Sequence, residues 1–367
     1  MNGQPGTSLA SGTCPRPHLA SRHRAHWRAI LRTDQHERIC QGAKVANIQL
    51  EATYPIVSAY EFEFLKGEDI IRERLDDCTI YMIVQRPLTY FDNVETSDGY
   101  IYFEIVDGVN VPMKCRINLV EAEICDGSEP VDIEMMFFTK NPSQTPPYRD
   151  VAAIKLFKKD GSFILWWSPQ KILYEMIVKK LKLAVAVEAN PLLFLNFNVL
   201  YIGKAFSQKV WDRLTGHDKM QKILTIQSPV GAAPAAQAPF EISLILLTVV
   251  GLTDNAELPY VGLTEVPGIA PILHDVDLDD DEGFYRFMQQ PLVPMGDEAM
   301  TREVEAQLIH KFQPEYNDVK FANYPAIEGG MRSKGYSWTE VSFERLPASL
   351  HTSHFSIEND FELADDD

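Results

Sequence analysis

The stretch "LYIGKAFSQKVWDRLTGH", residues 200–217, reads as a strand ending in Tyr201-Ile202-Gly203 that runs straight into a helix. Along that helix Lys209, Arg213 and His217 recur every four residues. Four-residue steps return to one helical face, so Arg213 and His217 point into one space. A permanent cation beside an imidazole that titrates near neutrality is a pairing used in catalysis and binding alike. By itself it names no reaction.

At 367 residues and 45% hydrophobic content, the chain is long enough for two domains with real cores, and disorder throughout is excluded. The longest apolar run, "ISLILLTVVGL" at 242–252, is too short to span a bilayer and reads as a buried strand. Residues 1–44 lack the continuous apolar stretch of a secretory signal, so the expectation is a cytoplasmic protein with no membrane partner. Five cysteines without a CxxC pair point to reduced, mainly buried thiols rather than a disulfide framework or a zinc ribbon. A net charge of −18 argues against a polyanionic partner, but the charge is segregated. Residues 1–44 carry seven basic and two acidic residues, a local +5. Within 201–227, Lys204, Lys209, Arg213, Lys219 and Lys222 stand against Asp212 and Asp218, a local +3.

Residues 1–44, rich in Gly, Pro, Ser, Arg and His, read as a flexible basic tail, either an inert end or a phosphate-binding arm. Alternating apolar runs from 45 to 167 make a β-rich regulatory or recognition domain, with Asp160-Gly161 as a hairpin turn. Ser168-Pro169 is a helix start, and "KILYEMIVKKLKLAV" should be helix as far as Asn190-Pro191. A strand at 193–202, a helix at 206–224 and a strand at 240–250 follow, so the second half alternates α and β. "DEAMTREVEAQLIHKF" is a last helix stopped at Pro314. The acidic run from Asp275 to Glu282 has Asp280 where a calcium loop needs glycine and reads as a solvated loop. Residues 336–367 read as an acidic tail.

On the last helix Glu305, Leu308, Ile309 and Phe312 fall at i, i+3, i+4 and i+7, which puts a carboxylate within the apolar stripe. Burying it costs several kcal/mol unless a cation, a metal or hydrogen-bond donors compensate. An ion pair with Arg213 or a position at the rim of the stripe would explain it structurally.

Together, residues 201–217 and "EAQLIHKFQPEYN" at 305–317 resemble the GIY-YIG nuclease family. Tyr201-Ile202-Gly203 matches its YIG element, followed by the Lys204-Ala205 often seen in its repair incision nucleases. Arg213 and His217 fall where the family places its catalytic arginine and, four residues on, a histidine or tyrosine. E-x-x-L-I-x-x-x-x-P-x-Y-N reproduces its metal-binding glutamate at Glu305 and its closing asparagine at Asn317. The resemblance covers residues 190–325 and departs from the pattern where a Gly-Ile-Tyr tripeptide should precede Tyr201. Asn190-Pro191 stands there instead, and Tyr174, in a stretch that reads as helix, would be the missing tyrosine if the gap is widened. The stretch between the "ISLILL" strand and the Glu305 helix, about 251–296, is longer than the minimal fold and reads as an insertion.

The resemblance implies an α+β chain. A β-rich N-terminal domain would be followed by a GIY-YIG-like nuclease domain at 168–335, with a small central sheet flanked by helices. It also implies a metal-dependent endonuclease that hydrolyses phosphodiester bonds of DNA in genome defence, as in restriction of phage, or in repair. Glu305 would hold Mg²⁺ or Mn²⁺, and Arg213 would contact the scissile phosphate. Tyr201 and His217 would orient or deprotonate the attacking water. Lys204 and Lys209 would steer phosphate, and Asn317 would hold the Glu305 helix or the site geometry. The N-terminal domain would select substrate or a protein partner. The alternative from another class is a catalytically degenerate member that binds nucleic acid or protein without cutting.

Overall fold

The computed structural model describes residues 39–52, 56–58, 61–62, 69–185, 190–205, 214, 218–226, 240–258, 260, 268–288, 297–324 and 327–358. The chain opens with strands β1 (Ile39–Ala52) and β2 (Val57–Ser58), a short helix α1 (Asp69–Arg74) and strand β3 (Ile80–Pro87). Then come β4 (Tyr90–Ser97), β5 (Tyr100–Val106), β6 (Met113–Asn118), β7 (Val131–Phe137), β8 (Val151–Lys158), β9 (Phe163–Trp167), helix α2 (Pro169–Val178) and β10 (Ala184–Val185). The remainder comprises β11 (Asn196–Lys204), α3 (Asp218–Ile226), β12 (Phe240–Glu257), β13 (His274–Asp277), α4 (Asp281–Met288), α5 (Glu298–Phe312), β14 (Trp338–Glu344), β15 (Ser349–His351) and β16 (Ser356–Ile357). The protein is thus a strand-rich α+β chain with two sheets, and no described helix is long and apolar enough to cross a membrane.

The larger sheet has the order β13-β1-β12-β3-β11-β15-β16, with β14 also on β1 and β2 on β12. Strand β3, "IYMIVQRP", is buried from Ile80 through Arg86, as a near-continuous apolar run in a central strand should be. Its alternate side chains serve two cores. Ile80, Met82 and Val84 join Val304, Leu308, Ile309 and Phe312 of α5, while Tyr81 and Ile83 join Met220 and Ile223 of α3.

The smaller sheet, order β10-β6-β5-β4-β8-β7 with β9 on β8, lies wholly between β3 and β11 in sequence. Its inward residues Phe91, Ile101, Phe103, Met113 and Leu156 belong to the same apolar cluster as α5, so the two sheets share one core. Arg86, at the exit of β3, ties the junction: it donates to Glu241 Oε2 at 3.1 Å and to the Phe194 carbonyl at 2.8 Å, and lies over the Phe197 ring.

The expected division at 167/168 therefore does not follow the strands. Residues 39–58 and 80–87 belong to the larger sheet, and an insert of β4 to β10 with α2 occupies 88–195. The basic tail ends earlier than expected, because Ile39 already pairs with Asp277; residues 1–38 lie outside the described part. The supposed insertion at 251–296 contributes the end of β12, β13 and α4. Two of the acidic-loop residues, Asp275 and Asp277, are strand, while Asp281 and Glu282 open α4. The supposed tail at 336–367 holds three strands, with Tyr336 and Trp338 buried and β14 parallel to β1. Helix α2 begins on the Ser168 cap but stops at Val178, where Lys179 caps it. Cys78 and Cys115 are buried free thiols, each pushed up to about 12 by burial.

Helix α5 is joined to the C-terminal strands by a buried carboxylate. Glu303, fully buried, accepts hydrogen bonds from Tyr324 Oη (2.8 Å), Thr339 Oγ1 (2.9 Å) and Met331 N (2.5 Å). Tyr324 Oη in turn accepts from Gln307 Nε2 and Thr339 N, both at 3.0 Å. Glu303→Gln would turn an N–H toward the donors that now point at the carboxylate, so a stability loss of about 2–4 kcal/mol is expected in urea unfolding. An unchanged midpoint would refute the assigned role. Burial and then the Glu303 charge push the Tyr324 phenol well above its usual value. A raised pKa gives stability that is complete below the unfolded value of about 10 and is lost as pH rises beyond it. Tyr324→Phe should therefore flatten the alkaline limb of the stability profile above pH ~10.

Candidate functional site

The site is built on the last five residues of β11. Between Val199 and Tyr201 the register against β3 shifts, and beyond the bulge Tyr201, Ile202, Gly203 and Lys204 face Ile83, Met82, Tyr81 and Ile80. Gly203 is required by Tyr81: a Cβ there would stand 2.6 Å from the Tyr81 ring, which is fully buried. The Tyr81 and Tyr201 rings are 6.1 Å apart, tilted by 36°.

Strand β15 covers β11 only at 196–198, so the far edge of residues 200–204 needs other partners. Residues 316–317 supply them. Tyr316 N donates to the Leu200 carbonyl at 3.0 Å. The Asn317 side chain accepts from Ile202 N at 3.0 Å and donates to the Ile202 carbonyl at 2.8 Å, as a neighbouring strand would. This geometry accounts for the spacing of the 305–317 motif. Helix α5 ends at Phe312, Gln313 takes a left-handed conformation (φ 49°), Pro314 prevents continuation, and the chain turns back along β11.

Helix α5 carries Glu305 to the end of the same strand. Leu308, Ile309 and Phe312 are buried, whereas Glu305 stands at the rim, its side chain 18% exposed. Among the described residues its cation is Lys204, whose Nζ lies 3.1 Å from Glu305 Oε2; Arg213, the partner the sequence suggested, lies outside them. Alternation along β11 puts Tyr201 and Gly203 on the Tyr81 face and Ile202 and Lys204 on the α5 face. The two sets of groups are thus joined through four consecutive residues of one strand.

Lys222 lies over the Tyr316 ring at 5.7 Å, Lys219 pairs with Asp318 at 2.7 Å, and Lys320 donates to the Pro314 carbonyl. Burial lowers the pKa of Lys320 and raises that of the Tyr316 phenol. With Lys204 these side chains form a mixed patch in which lysines alternate with the carboxylates of Glu305 and Asp318.

Among the described residues no group of three or more His, Cys, Asp or Glu is placed to hold a metal ion. A hard divalent cation that keeps most of its water, such as Mg²⁺, needs only one or two carboxylates, and the partly exposed Glu305 fits that demand. Lys209, Arg213 and His217 lie outside the described residues; Leu214, next to Arg213, is helical and buried in the cluster that contains Tyr81. Tyr174 is a buried residue of α2, in the insert. The tyrosine that stands beside Tyr201 is Tyr81, in "TIYMIV", 120 positions earlier in the sequence (201 − 81). A search within ten residues of Tyr201 misses it because the whole smaller sheet intervenes; its sequence signal is the tyrosine near the start of an apolar strand.

Gly203→Ala should cost about 1–3 kcal/mol, since the buried Tyr81 ring has no room to move. Asn317→Asp would set an acceptor against the Ile202 carbonyl and is expected to lower stability by about 2–3 kcal/mol. Thermal melts that leave either variant at the wild-type midpoint would contradict this account of the strand edge. Comparison with protein-family models, with curated proteins and with solved structures finds no match for this chain.

Proposed function

We propose that the protein is a divalent-metal-dependent endonuclease of the GIY-YIG type that hydrolyses DNA phosphodiester bonds in the cytoplasm, in genome defence or repair. The observation that carries the reading is the meeting of two distant stretches: residues 201–204 with Glu305 through Lys204, and with Asn317 through the Ile202 peptide. Tyr81 adds support, since it supplies a tyrosine on the strand antiparallel to the Tyr-Ile-Gly element.

In this reading Glu305 would hold Mg²⁺ or Mn²⁺, which when bound offsets charge on the phosphoryl and leaving oxygens. The remaining roles fall to the chain. The Tyr201 hydroxyl orients the attacking water and the His217 imidazole takes its proton, while the buried Tyr81 ring holds Tyr201 in place. Arg213 makes a bidentate contact with the scissile phosphate, its charge persisting at any working pH. Lys204, Lys219 and Lys222 are the lysines that would contact backbone phosphates, the first two by exchanging the carboxylates they now pair with. Asn317 positions the strand that carries Tyr201. The β4–β10 insert, sharing a core with this module, is the part that would select substrate or a protein partner.

Supercoiled, linear and single-stranded DNA incubated with full-length protein should be cut in Mg²⁺ and spared in chelator. Glu305→Gln should abolish cleavage while DNA binding and the melting midpoint persist. His217→Ala should slow cleavage on the order of 10²–10⁴-fold, the usual contribution of a positioned general base. DNA binding without Mg²⁺-dependent cleavage of any substrate would assign the protein to the non-cutting class instead.

A further inference from the structure

We infer that Lys204 is a tethered counter-ion for Glu305: it neutralises the carboxylate while no divalent cation is bound there and withdraws when one binds. This rests on the reading of Glu305 as a metal ligand. Lys204 Nζ lies 3.1 Å from Glu305 Oε2, and the backbones that bring them together are both fixed. On the strand side, Ile202 is held by Asn317 and Gly203 lies under Tyr81. On the helix side, Asp297 caps α5, Leu308 and Phe312 are buried, and Glu303 is tied by three hydrogen bonds. The pairing is therefore a product of the fold rather than of two free side chains meeting in solvent.

The chemistry of the pair suits exchange. A lysine is a compact single charge on a flexible stem, and the Lys204 side chain, 37% exposed, has solvent to move into. An arginine would grip the carboxylate with two N–H groups and be harder to displace. A divalent ion at Glu305 repels an ammonium at that distance and competes for the same oxygen. The freed ammonium remains at the end of β11, on the strand that carries Tyr201, where it is available to a phosphate oxygen. Until the metal arrives, the pair presents no net negative charge to an approaching polyanion.

The test uses full-length protein and Mn²⁺ as the probe, with binding read from the loss of the free Mn²⁺ electron paramagnetic signal. Lys204→Met should bind Mn²⁺ about 2- to 5-fold tighter than wild type, the factor expected when a partly exposed competing charge is removed. It should melt lower than wild type in chelator and recover in Mn²⁺. Its DNA binding in chelator should weaken, because Glu305 is then uncompensated. Lys204→Gln serves as the second variant should the methionine form fold poorly. Glu305→Gln separates the two levels of the inference. If it weakens Mn²⁺ binding while both Lys204 variants bind as wild type does or more weakly, the counter-ion role is overturned and the metal reading stands. If Mn²⁺ binding is the same in wild type and Glu305→Gln, the metal reading fails, and the counter-ion role with it.

Discussion

Between Leu200 and Lys204, strand β11 has β3 on one side and, on the other, among the described residues, the groups that residues 316 and 317 provide. Unpaired peptide groups in a buried strand are costly, so this edge has to be closed. Closing it with an asparagine side chain rather than a full strand fixes where helix α5 must end, and hence where Glu305 stands. The same edge fixes Lys204, because the residue after Gly203 projects toward α5. On the opposite face Gly203 admits the Tyr81 ring against the backbone, and Tyr201 lies beside it. The candidate site is thus a consequence of how one strand is bounded.

The partner that makes β11 possible is remote in sequence. Strand β3 leaves the larger sheet at Pro87, and β11 enters it at Asn196, with a complete second sheet between them. Closing so long a loop costs only a little more entropy than closing a short one, since the cost grows with the logarithm of length. What keeps the insert from moving independently is the shared apolar cluster and Arg86, whose guanidinium spans β12, the Phe194 carbonyl and the Phe197 ring. An insert fixed in this way presents its surface at a constant orientation to whatever approaches β11.

Two buried charged groups elsewhere are likewise paired with partners on other elements. Glu303 draws three donors from the segment after α5, and Lys44 lies 3.9 Å from Asp254, which also accepts from Tyr336. Such groups hold a unique register between helix α5, β1 and the C-terminal strands, because a slipped register would leave a charge unpaired in the core.

Much of the local structure was legible in the sequence. The Ser168-Pro169 start of α2, the Asp160-Gly161 hairpin and the α5 limits at Asp297 and Gln313 rest on capping and turn chemistry that acts within a few residues. The end of strand β11 and the run of α5 into the Pro314 turn were legible as well, because each is contiguous. What could not be read is everything decided by strand pairing. Nothing local announces that Tyr81 pairs with Gly203, that β1 and β14 lie parallel, or that "YSWTEVSFE" forms a strand of the larger sheet rather than part of a tail. The ion partner of Glu305 was equally hidden, for a carboxylate at the rim of an apolar stripe accepts any cation the fold delivers. By itself the sequence determined the helix starts, the hairpin turn and the more strongly patterned strands, through interactions between near neighbours. Only the tertiary structure decided which strands meet and which charges pair, because those contacts are selected by burial of a shared core and by closure of edges between residues a hundred positions apart.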